Sequence, residues 1–280
     1  MIYVLYHDKC ADGFGAAYAA WRKFHTKATY IPVQYHKPVP ELPGCTELYI
    51  VDFAYPRDIL LELNNKFKTI VLDHHKTNQK DLEGLPFCIF NMEKSGAVIA
   101  WEYFHPHDPL PQLFKSIQDR DLWEWKLPFT EEVSLALFCY PYEFQVWDEL
   151  FDRDFTLLRQ EGIALTRKQK LDTAQIAQRA RRTTFEGLEV LLVNTPIFQG
   201  EVSDQLLKAN PDIALVICYA DTKEGFCYCS MRSRKSRSYD INKIAEKFGG
   251  GGHPSAAGFL IECEDRFHKM FPPSQENLIP

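Results

Sequence analysis

The sequence predicts an α/β protein with a doubly wound, mainly parallel sheet in its N-terminal half, a helical connector and a smaller C-terminal α/β domain. Three observations predict this arrangement. Short β-rich apolar runs alternate with helical spacing up to about residue 141, a long charged stretch with helical spacing follows, and β-rich runs return after residue 185. Such alternation implies a parallel sheet that is covered on both faces. We therefore expect domains at residues 1–141 and 185–280, joined by a connector at 142–184.

The N-terminal domain shows strand and helix patterns in turn. Apolar, β-rich runs predict strands at Tyr3–His7, Tyr30–Tyr35, Glu47–Phe53, Thr69–His75 and Phe87–Asn91. Helical spacing predicts helices at Gly13–Phe24, Pro56–Phe67, Gly96–Phe104 and Leu113–Trp123. Pro56 suits the first turn of a helix, because its missing N–H needs no partner there.

The remainder of the chain is predicted in the same way. In the connector, Leu158, Ile163, Leu165 and Leu171 are apolar positions with helical spacing. In the C-terminal domain we expect strands at Leu188–Asn194, Ile213–Asp221, Gly225–Ser233 and Ala256–Ile261, and helices at Val202–Ala209 and Asp240–Phe248.

Composition indicates a soluble, cytoplasmic protein without a membrane partner. No apolar run approaches the roughly 20 residues of a membrane-spanning helix. The N-terminus lacks the basic region of a signal peptide. The eight cysteines are scattered and mostly lie in apolar runs, which is typical of reduced core cysteines. Cys227 and Cys229 should share one face of a strand, a spacing that does not fit half of a zinc site.

The charge balance limits the kind of nucleic acid that the protein could bind. The net charge is −6 and the isoelectric point is about 5.9. Proteins that bind long nucleic acid usually carry a basic surplus, because they neutralise many phosphates. We therefore expect a short substrate and no long duplex.

Acidic and imidazole side chains recur at the ends of the predicted strands. They are His7, Asp8 and Asp12 after the first strand, Asp52 in the third, and Asp73, His74 and His75 in the fourth, with Asp119 and Asp121 later. A single aspartate would be explained by a turn or a helix cap, but three strand ends of this kind predict a metal site, since ligands bind at the carboxyl ends of such strands. Carboxylate and imidazole donors suit Mn²⁺ or Mg²⁺. A carboxylate such as Asp52 could bridge two ions.

Five segments, in order along nearly the whole chain, resemble the motifs of the DHH phosphoesterase family with its associated DHHA1 domain. They are Tyr6–Gly13, Val51–Phe53, Leu72–His75, Asp119–Trp123 and the glycine-rich Phe248–Phe259. The resemblance implies an N-terminal DHH domain that binds metal and a C-terminal DHHA1-like domain that binds substrate.

The resemblance also implies roles for single residues. The ligands of a two-metal centre, most simply of Mn²⁺, with Mg²⁺ or another divalent ion as alternatives, would be His7, Asp12, Asp52, His74 and Asp119, with Asp52 bridging and Asp8 as an additional candidate. His75 would face the substrate phosphate as a general acid or charge stabiliser, and Asp73 would orient the histidines. The register of the fourth motif favours Asp119 over Asp121 as the ligand.

Cys10 departs from the family pattern, because many members have the first of two aspartates at this position. A Cys10 thiolate could bind metal, or Asp8 could supply the missing carboxylate. Alternatively, one metal site is weak and fills only with substrate, or Cys10 is a plain small residue under the loop.

In the C-terminal domain, glycines and basic residues are the candidate substrate ligands. The glycines at 249–252 let the backbone approach an anion, although a tight turn would also use one or two of them. The proposed substrate contacts are Gly250, Gly251, Gly252, His253 and Arg232, the last resembling the family arginine that holds phosphate or base. Arg234, Lys235 and Arg237 could bind substrate or belong to a solvated loop.

The resemblance therefore implies a phosphoesterase that hydrolyses phosphodiester or phosphomonoester bonds of small nucleotides or short single-stranded oligonucleotides through a metal-activated hydroxide. One alternative is hydrolysis of inorganic pyrophosphate or polyphosphate, although relatives with that activity have a different second domain. Another is a nucleotide-binding regulator with impaired catalysis, which Cys10 alone supports. Whether the chain forms a homo-oligomer is left open.

Overall fold

A computed structural model describes residues 1–35, 37–234, 240–262 and 269–271. The chain divides into two compact units, Met1–Thr166 and Arg167–Pro280. None of the described helices combines the length and the apolar character needed to cross a membrane.

In its described residues, the first unit contains a five-stranded sheet in which all the paired strands are parallel. The strands are β1 (Ile2–His7), β2 (Ala28–Val33), β3 (Glu47–Val51), β4 (Lys68–Asp73) and β5 (Cys88–Phe90). Their order is β2-β1-β3-β4-β5. The strand after β1 lies on one side of β1, and the next three strands lie on its other side. The point between β1 and β3 is the topological switch point, outside which ligands bind in sheets of this kind.

Helices cover both faces of this sheet, which confirms the doubly wound prediction. The helices are α1 (Ala11–Phe24), α2 (Arg57–Lys66), α3 (Lys76–Asp81), α4 (Gly96–Phe104), α5 (Gln112–Asp121), α6 (Thr130–Leu137), α7 (Phe144–Asp152) and the start of α8 (Phe155–Ala177). Val4 packs in one core with Phe14 of α1, and the next residue, Leu5, packs in another with Leu60 of α2. The alternation follows from the two-residue period of a strand.

The segment that was expected to be a connector is divided between the two units. Trp147, Leu150 and Leu158 are buried in the first core, so α7 and the start of α8 pack in the first unit. The boundary after Thr166 lies inside α8. The strand at Arg181–Phe185 already belongs to the second sheet. The difference arises because the apolar residues of α7 are buried in the first core.

The described part of the second unit contains a mixed six-stranded sheet. Its strands are β6 (Arg181–Phe185), β7 (Leu188–Asn194), β8 (Leu215–Asp221), β9 (Phe226–Ser233), β10 (Gly251–His253) and β11 (Ala256–Glu262), in the order β10-β11-β9-β8-β7-β6. Only the β7–β8 pairing is parallel among these described strands. Helix α9 (Gln199–Ala209) contributes to one core and α10 (Ile241–Glu246) to another.

Candidate metal centre

The predicted strand-end residues meet at the carboxyl edge of the first sheet, on either side of its switch point. His7 is the last residue of β1, Asp52 directly follows β3, and Asp73 is the last residue of β4. Asp52 has a φ of 53°, a left-handed conformation that Asp tolerates better than most residues. Its N–H donates to the carbonyl oxygen of Leu72 at 2.9 Å, which fixes this turn against β4.

Three carboxylates surround one nitrogen of His74. The Nε2 atom of His74 lies 3.2 Å from Asp52 Oδ1, 3.6 Å from Asp12 Oδ2 and 3.6 Å from Asp121 Oδ2. Asp52 Oδ1 is buried against His74 Nε2, and Asp121 Oδ2 is a buried oxygen that accepts no hydrogen bond from the described residues. A buried carboxylate without a partner is costly, so this geometry fits residues that bind a cation.

The pKa shifts reflect this excess of negative charge. Burial, together with the charges of Asp52 and Asp121, raises the pKa of Asp12 well above its usual value, and burial raises that of Asp121 as well. Burial alone would lower the pKa of His74, but its hydrogen bond to Asp52 and the surrounding carboxylates raise it to about 10. Without metal, protons therefore compensate the negative charge that a divalent ion would neutralise.

A second group of donors shares Asp52 with the first. Ligand atoms of His7, Cys10 and Asp52 all lie within 4.8 Å of one another, as do those of Asp12, Asp52 and His74. His7 Nδ1 is 3.6 Å from Asp52 Oδ2. Asp52 is thus placed where a carboxylate that bridges two ions would be.

Asp119, which the register of the fourth motif favours as the ligand, and Asp121 have different surroundings. The Asp119 carboxylate accepts hydrogen bonds from the N–H of Lys126 (2.8 Å), the N–H of Leu127 (3.1 Å) and the hydroxyl of Thr130 (2.6 Å). It therefore stabilises the loop before α6, whereas Asp121 reaches His74. Two residues apart on α5, the side chains point in different directions.

Asp8 does not join either donor group. Its carboxylate accepts a hydrogen bond from Gln34 Nε2 at 2.9 Å. The structure therefore does not bring Asp8 to the place of the missing carboxylate.

Asp73 holds the two histidines of the signature. Its Oδ1 accepts the N–H of His74 at 2.8 Å and lies 2.7 Å from His75 Nδ1, and its Oδ2 accepts Asn78 Nδ2 at 2.6 Å. Burial would lower the pKa of His75, but the charge of Asp73 and this hydrogen bond raise it to about 9. His75 is therefore oriented and protonated at neutral pH in the metal-free protein.

The chain is similar to known proteins both in sequence and in fold. Residues 198–271 match the family model of the DHHA1 domain. The chain is 34% identical over 283 residues to an uncharacterized protein of Acanthamoeba polyphaga mimivirus, a match that covers 92% of this chain and 67% of the viral protein. This chain belongs to the DHH/DHHA1 family.

Several solved structures share the fold of this chain. The DHH domain of a protein described as a member of the S1p family of ribosomal proteins matches with a TM-score of 0.62 and 13% identity, covering 95% of this chain and 84% of that chain. The pGpG-specific phosphodiesterase PggH from Vibrio cholerae matches with 0.52 and 16%, covering 96% and 95%. RecJ from Thermus thermophilus, solved with Mn²⁺, matches with 0.50 and 16%, covering 93% and 49%.

The contacts between the first turn of α4 and the candidate centre were not predicted from the sequence. The first turn of α4 donates the N–H of Gly96 (2.6 Å) and of Ala97 (2.9 Å) to the Asp12 carboxylate. A side chain at Gly96 would place its Cβ 2.5 Å from the Cβ of Asp52, so glycine permits this approach. The helix itself was expected at Gly96–Phe104 and is capped by Ser95, but the sequence does not show which carboxylate its first amides contact.

Tyr35 is a further neighbour of the centre that sequence reasoning missed. Its ring lies edge-on to His7, with the ring centroids 5.5 Å apart, and its hydroxyl accepts a hydrogen bond from Asn78 at 3.3 Å. No sequence pattern distinguishes Tyr35 from the other aromatic residues.

In the DHHA1 unit, the glycine run forms the start of a hairpin. β10 pairs with β11, and a Cβ at Gly250 would lie 2.1 Å from the carbonyl oxygen of Gly258. Gly252 has a φ of 146° and the same kind of close approach. Gly251 has neither restriction, since the nearest atom to its added Cβ is 3.8 Å away. Backbone packing therefore explains Gly250 and Gly252 but not Gly251.

The basic residues of this unit differ in their surroundings. Arg232 lies on β9, between Val216 of β8 and Ala256 of β11. The Arg234 guanidinium donates to backbone carbonyls after α9, including those of Asn210 and Pro211, both at 3.0 Å. Arg234 therefore stabilises this turn rather than lying in a solvated loop. Lys235 and Arg237 fall outside the described residues.

Proposed function

We propose that this DHH/DHHA1 protein is a metal-dependent phosphoesterase that acts on small nucleotides or short single-stranded oligonucleotides. The observation that carries the proposal is the crowding of Asp12, Asp52 and Asp121 around His74 Nε2 at the switch point of the parallel sheet. The activity printed for the structural neighbour PggH, a pGpG-specific phosphodiesterase, supports the reaction class and a small substrate.

The carboxylates and imidazoles of the DHH unit would hold two divalent ions. Asp12, Asp52, His74 and Asp121 form a donor set of the kind that Mn²⁺ and Mg²⁺ accept. The Mn²⁺ in the RecJ structure supports this choice of ion. Bound ions would lower the pKa of a coordinated water and neutralise charge on the attacked phosphoryl group.

His75 would provide the proton or the positive charge that the leaving oxygen needs. Asp73 holds Nδ1, so Nε2 is the nitrogen through which His75 would act on a substrate. The pKa of about 9 keeps the ring protonated at neutral pH before metal binds. A charged donor of this kind stabilises the phosphoryl oxygens as negative charge moves to the leaving group.

The DHHA1 unit would bind the rest of the substrate. Arg232 and His253 can donate to phosphate, and the backbone at Gly251 can be approached closely because no side chain is present. The net charge of −6 supports a short substrate that contacts few basic residues.

A panel of substrates tests this function. Di- to pentaribonucleotides, linear and cyclic dinucleotides, 3′,5′-bisphosphorylated adenosine and pyrophosphate would each be incubated with the protein in Mn²⁺. We expect release of mononucleotides or phosphate from one of the nucleotide substrates. An Asp121→Asn variant should be inactive on the same substrate, which excludes a contaminating nuclease.

Two outcomes would contradict the proposal. Hydrolysis of pyrophosphate alone would identify the alternative hydrolase. Tight binding of nucleotide and metal without turnover on any substrate would identify a regulator.

A further inference from the structure

Cys10 lies beside two candidate metal ligands, His7 and Asp52. It is the N-cap residue of α1, directly after the loop that follows β1. Its sulfur lies within 4.8 Å of a ligand atom of His7 and of Asp52. The three residues differ in donor chemistry, since they offer a thiolate, an imidazole nitrogen and a carboxylate oxygen.

The surroundings of this group indicate that it binds a cation. Asp52, which is 1% exposed, turns its Oδ2 atom to this group, 3.6 Å from His7 Nδ1. The ring of His7 is oriented by Tyr35 and by Phe53, with a centroid distance of 6.4 Å to the latter.

Among the residues that the structure describes, neither Asp8 nor Asp12 takes the place of the sulfur. Asp8, the nearest alternative in sequence, is hydrogen-bonded to Gln34. Asp12 turns its carboxylate to the first turn of α4 and to His74. The donor that completes this side of the centre is therefore the cysteine.

We propose that His7, Cys10 and Asp52 form a zinc site beside the harder Asp12–Asp52–His74–Asp121 site, so that the centre holds two different metals. The proposal deepens the proposed function and rests on it. Cysteine, histidine and carboxylate are the ligands that Zn²⁺ takes, and three protein ligands with an open position are typical of catalytic zinc. Mn²⁺ and Mg²⁺ prefer oxygen and imidazole, which the other donor set supplies.

Binding of zinc to Cys10 is a simple exchange of cations. The S–H bond breaks, the sulfur binds Zn²⁺ as thiolate, and the proton passes to solvent. No oxidation or reduction takes place.

Cobalt provides a direct test, because Zn²⁺ is spectroscopically silent and Co²⁺ is a common substitute. The whole protein, stripped of metal, would be titrated with Co²⁺ and followed by absorption in the near ultraviolet, where thiolate-to-cobalt charge transfer occurs. We expect a charge-transfer band that saturates at about one equivalent of Co²⁺. Zn²⁺ should abolish it, and Mn²⁺ at the same concentration should not.

Variants at Cys10 and at a second cysteine identify the ligand. Cys10→Ser and Cys10→Asp should both lose the band, and Cys10→Ser should bind Zn²⁺ at least about 10- to 100-fold more weakly, the loss seen when even an outer-shell partner is removed. Cys139→Ser should keep the band, because Cys139 is exposed and bonds to the carbonyl of Leu135. Two Cys10 variants guard against the misfolding of one.

Failure of this proposal can be distinguished from failure of the function. Co²⁺ binding without a charge-transfer band, in a protein that hydrolyses a nucleotide, would overturn the zinc site alone. A band that persists in both Cys10 variants would do the same. A protein that binds no divalent ion would overturn both proposals.

Discussion

The protonation of His74 links metal binding to pH. Its pKa of about 10 in the metal-free protein results mainly from a hydrogen bond to Asp52 and from three carboxylates, against the opposite effect of burial. A neutral imidazole is needed to bind a metal, so an ion must displace this proton.

We predict that the affinity for Mn²⁺ rises with pH between 6 and 9. If one proton is released, the apparent dissociation constant should fall about tenfold per pH unit below the pKa, since each unit corresponds to about 1.4 kcal/mol. Isothermal titration at pH 7 in two buffers of different ionisation enthalpy measures the protons released. An identical binding enthalpy in both buffers would contradict the assignment.

Because Asp119 and Asp121 have different surroundings, we predict that substitution of Asp121 affects Mn²⁺ binding and that substitution of Asp119 affects stability. Asp121→Asn should weaken Mn²⁺ binding and leave the metal-free protein as stable or more stable, because it removes a buried repelling charge. Asp119→Ala should lower the free energy of unfolding by about 1–3 kcal/mol, because two backbone N–H groups and Thr130 lose their acceptor.

Urea unfolding in the presence of a chelator, together with Mn²⁺ titration, separates these effects. If Asp119→Ala keeps its stability but no longer binds Mn²⁺, then Asp119 is the ligand and Asp121 is not.

His75 is predicted to matter for turnover but not for metal binding. His75→Ala should reduce kcat about 10²- to 10⁴-fold, the usual contribution of a general acid. Its Mn²⁺ affinity should change little, since Asp12, Asp52, His74 and Asp121 remain. His107→Ala, at an exposed position, is the matched control and should be fully active. Full activity of His75→Ala would refute the role.

At the scale of secondary structure, elements with a buried apolar period were predictable. The bounds of α4 and β7 coincide with those expected, because each has a continuous buried stripe. The helix α3 and the strand β10 were missed. α3 has six polar or charged residues and no buried one, and β10 consists of two glycines and a histidine. Tertiary contacts, rather than local pattern, stabilise such short elements.

The candidate centre was predictable in its ligand types but not in its detail. His7, Asp52 and His74 were predicted as ligands because strand ends converge at one edge of a parallel sheet, and the structure brings them together. The sequence favoured Asp119 over Asp121 as the ligand of the fourth motif. It could not show that the loop before α6 donates hydrogen bonds to Asp119. The contact between Gly96 and Asp52 joins residues 44 positions apart and leaves no local trace in the sequence.

The glycine run of β10 offers a prediction at the same scale. Gly251→Ala should fold normally, because its added Cβ meets no atom closer than 3.8 Å. It should nevertheless raise KM for the nucleotide substrate if this backbone lies against a phosphate. Gly250→Ala should destabilise the hairpin, since its Cβ would overlap the carbonyl oxygen of Gly258.

Thermal unfolding and steady-state kinetics of the two glycine variants measure these effects. A Gly251→Ala protein with unchanged KM would mean that the run serves the hairpin only.

At the scale of the whole molecule, the candidate metal centre and the glycine run belong to different compact units. Ions that bind only the folded first unit should stabilise it by mass action, by about 2.7 kcal/mol at a concentration 100 times the dissociation constant. Residues 1–166 and 167–280 should therefore respond differently to the same ion.

We predict that Mn²⁺ slows amide hydrogen exchange in β1, β3, β4 and the start of α4. The strands of the second unit should exchange at nearly the same rate with and without the ion. Hydrogen exchange followed by mass spectrometry, with and without a chelator, measures this. Equal protection of β7, β8 and β9 would show that the ion also stabilises the second unit.

The hydrogen bonds from α4 to Asp12 have a consequence for how such a fold can hold an anion. A helix that begins at the edge of a parallel sheet normally offers its free N–H groups and its positive end to a phosphate. Here the amides of Gly96 and Ala97 are already occupied by the protein's own carboxylate. These N–H groups therefore hold the candidate metal ligand Asp12 in place and are not available to bind a phosphate. A phosphate that enters at this edge would therefore depend on His75 and on bound cations for positive charge, so its binding should depend on whether metal is present.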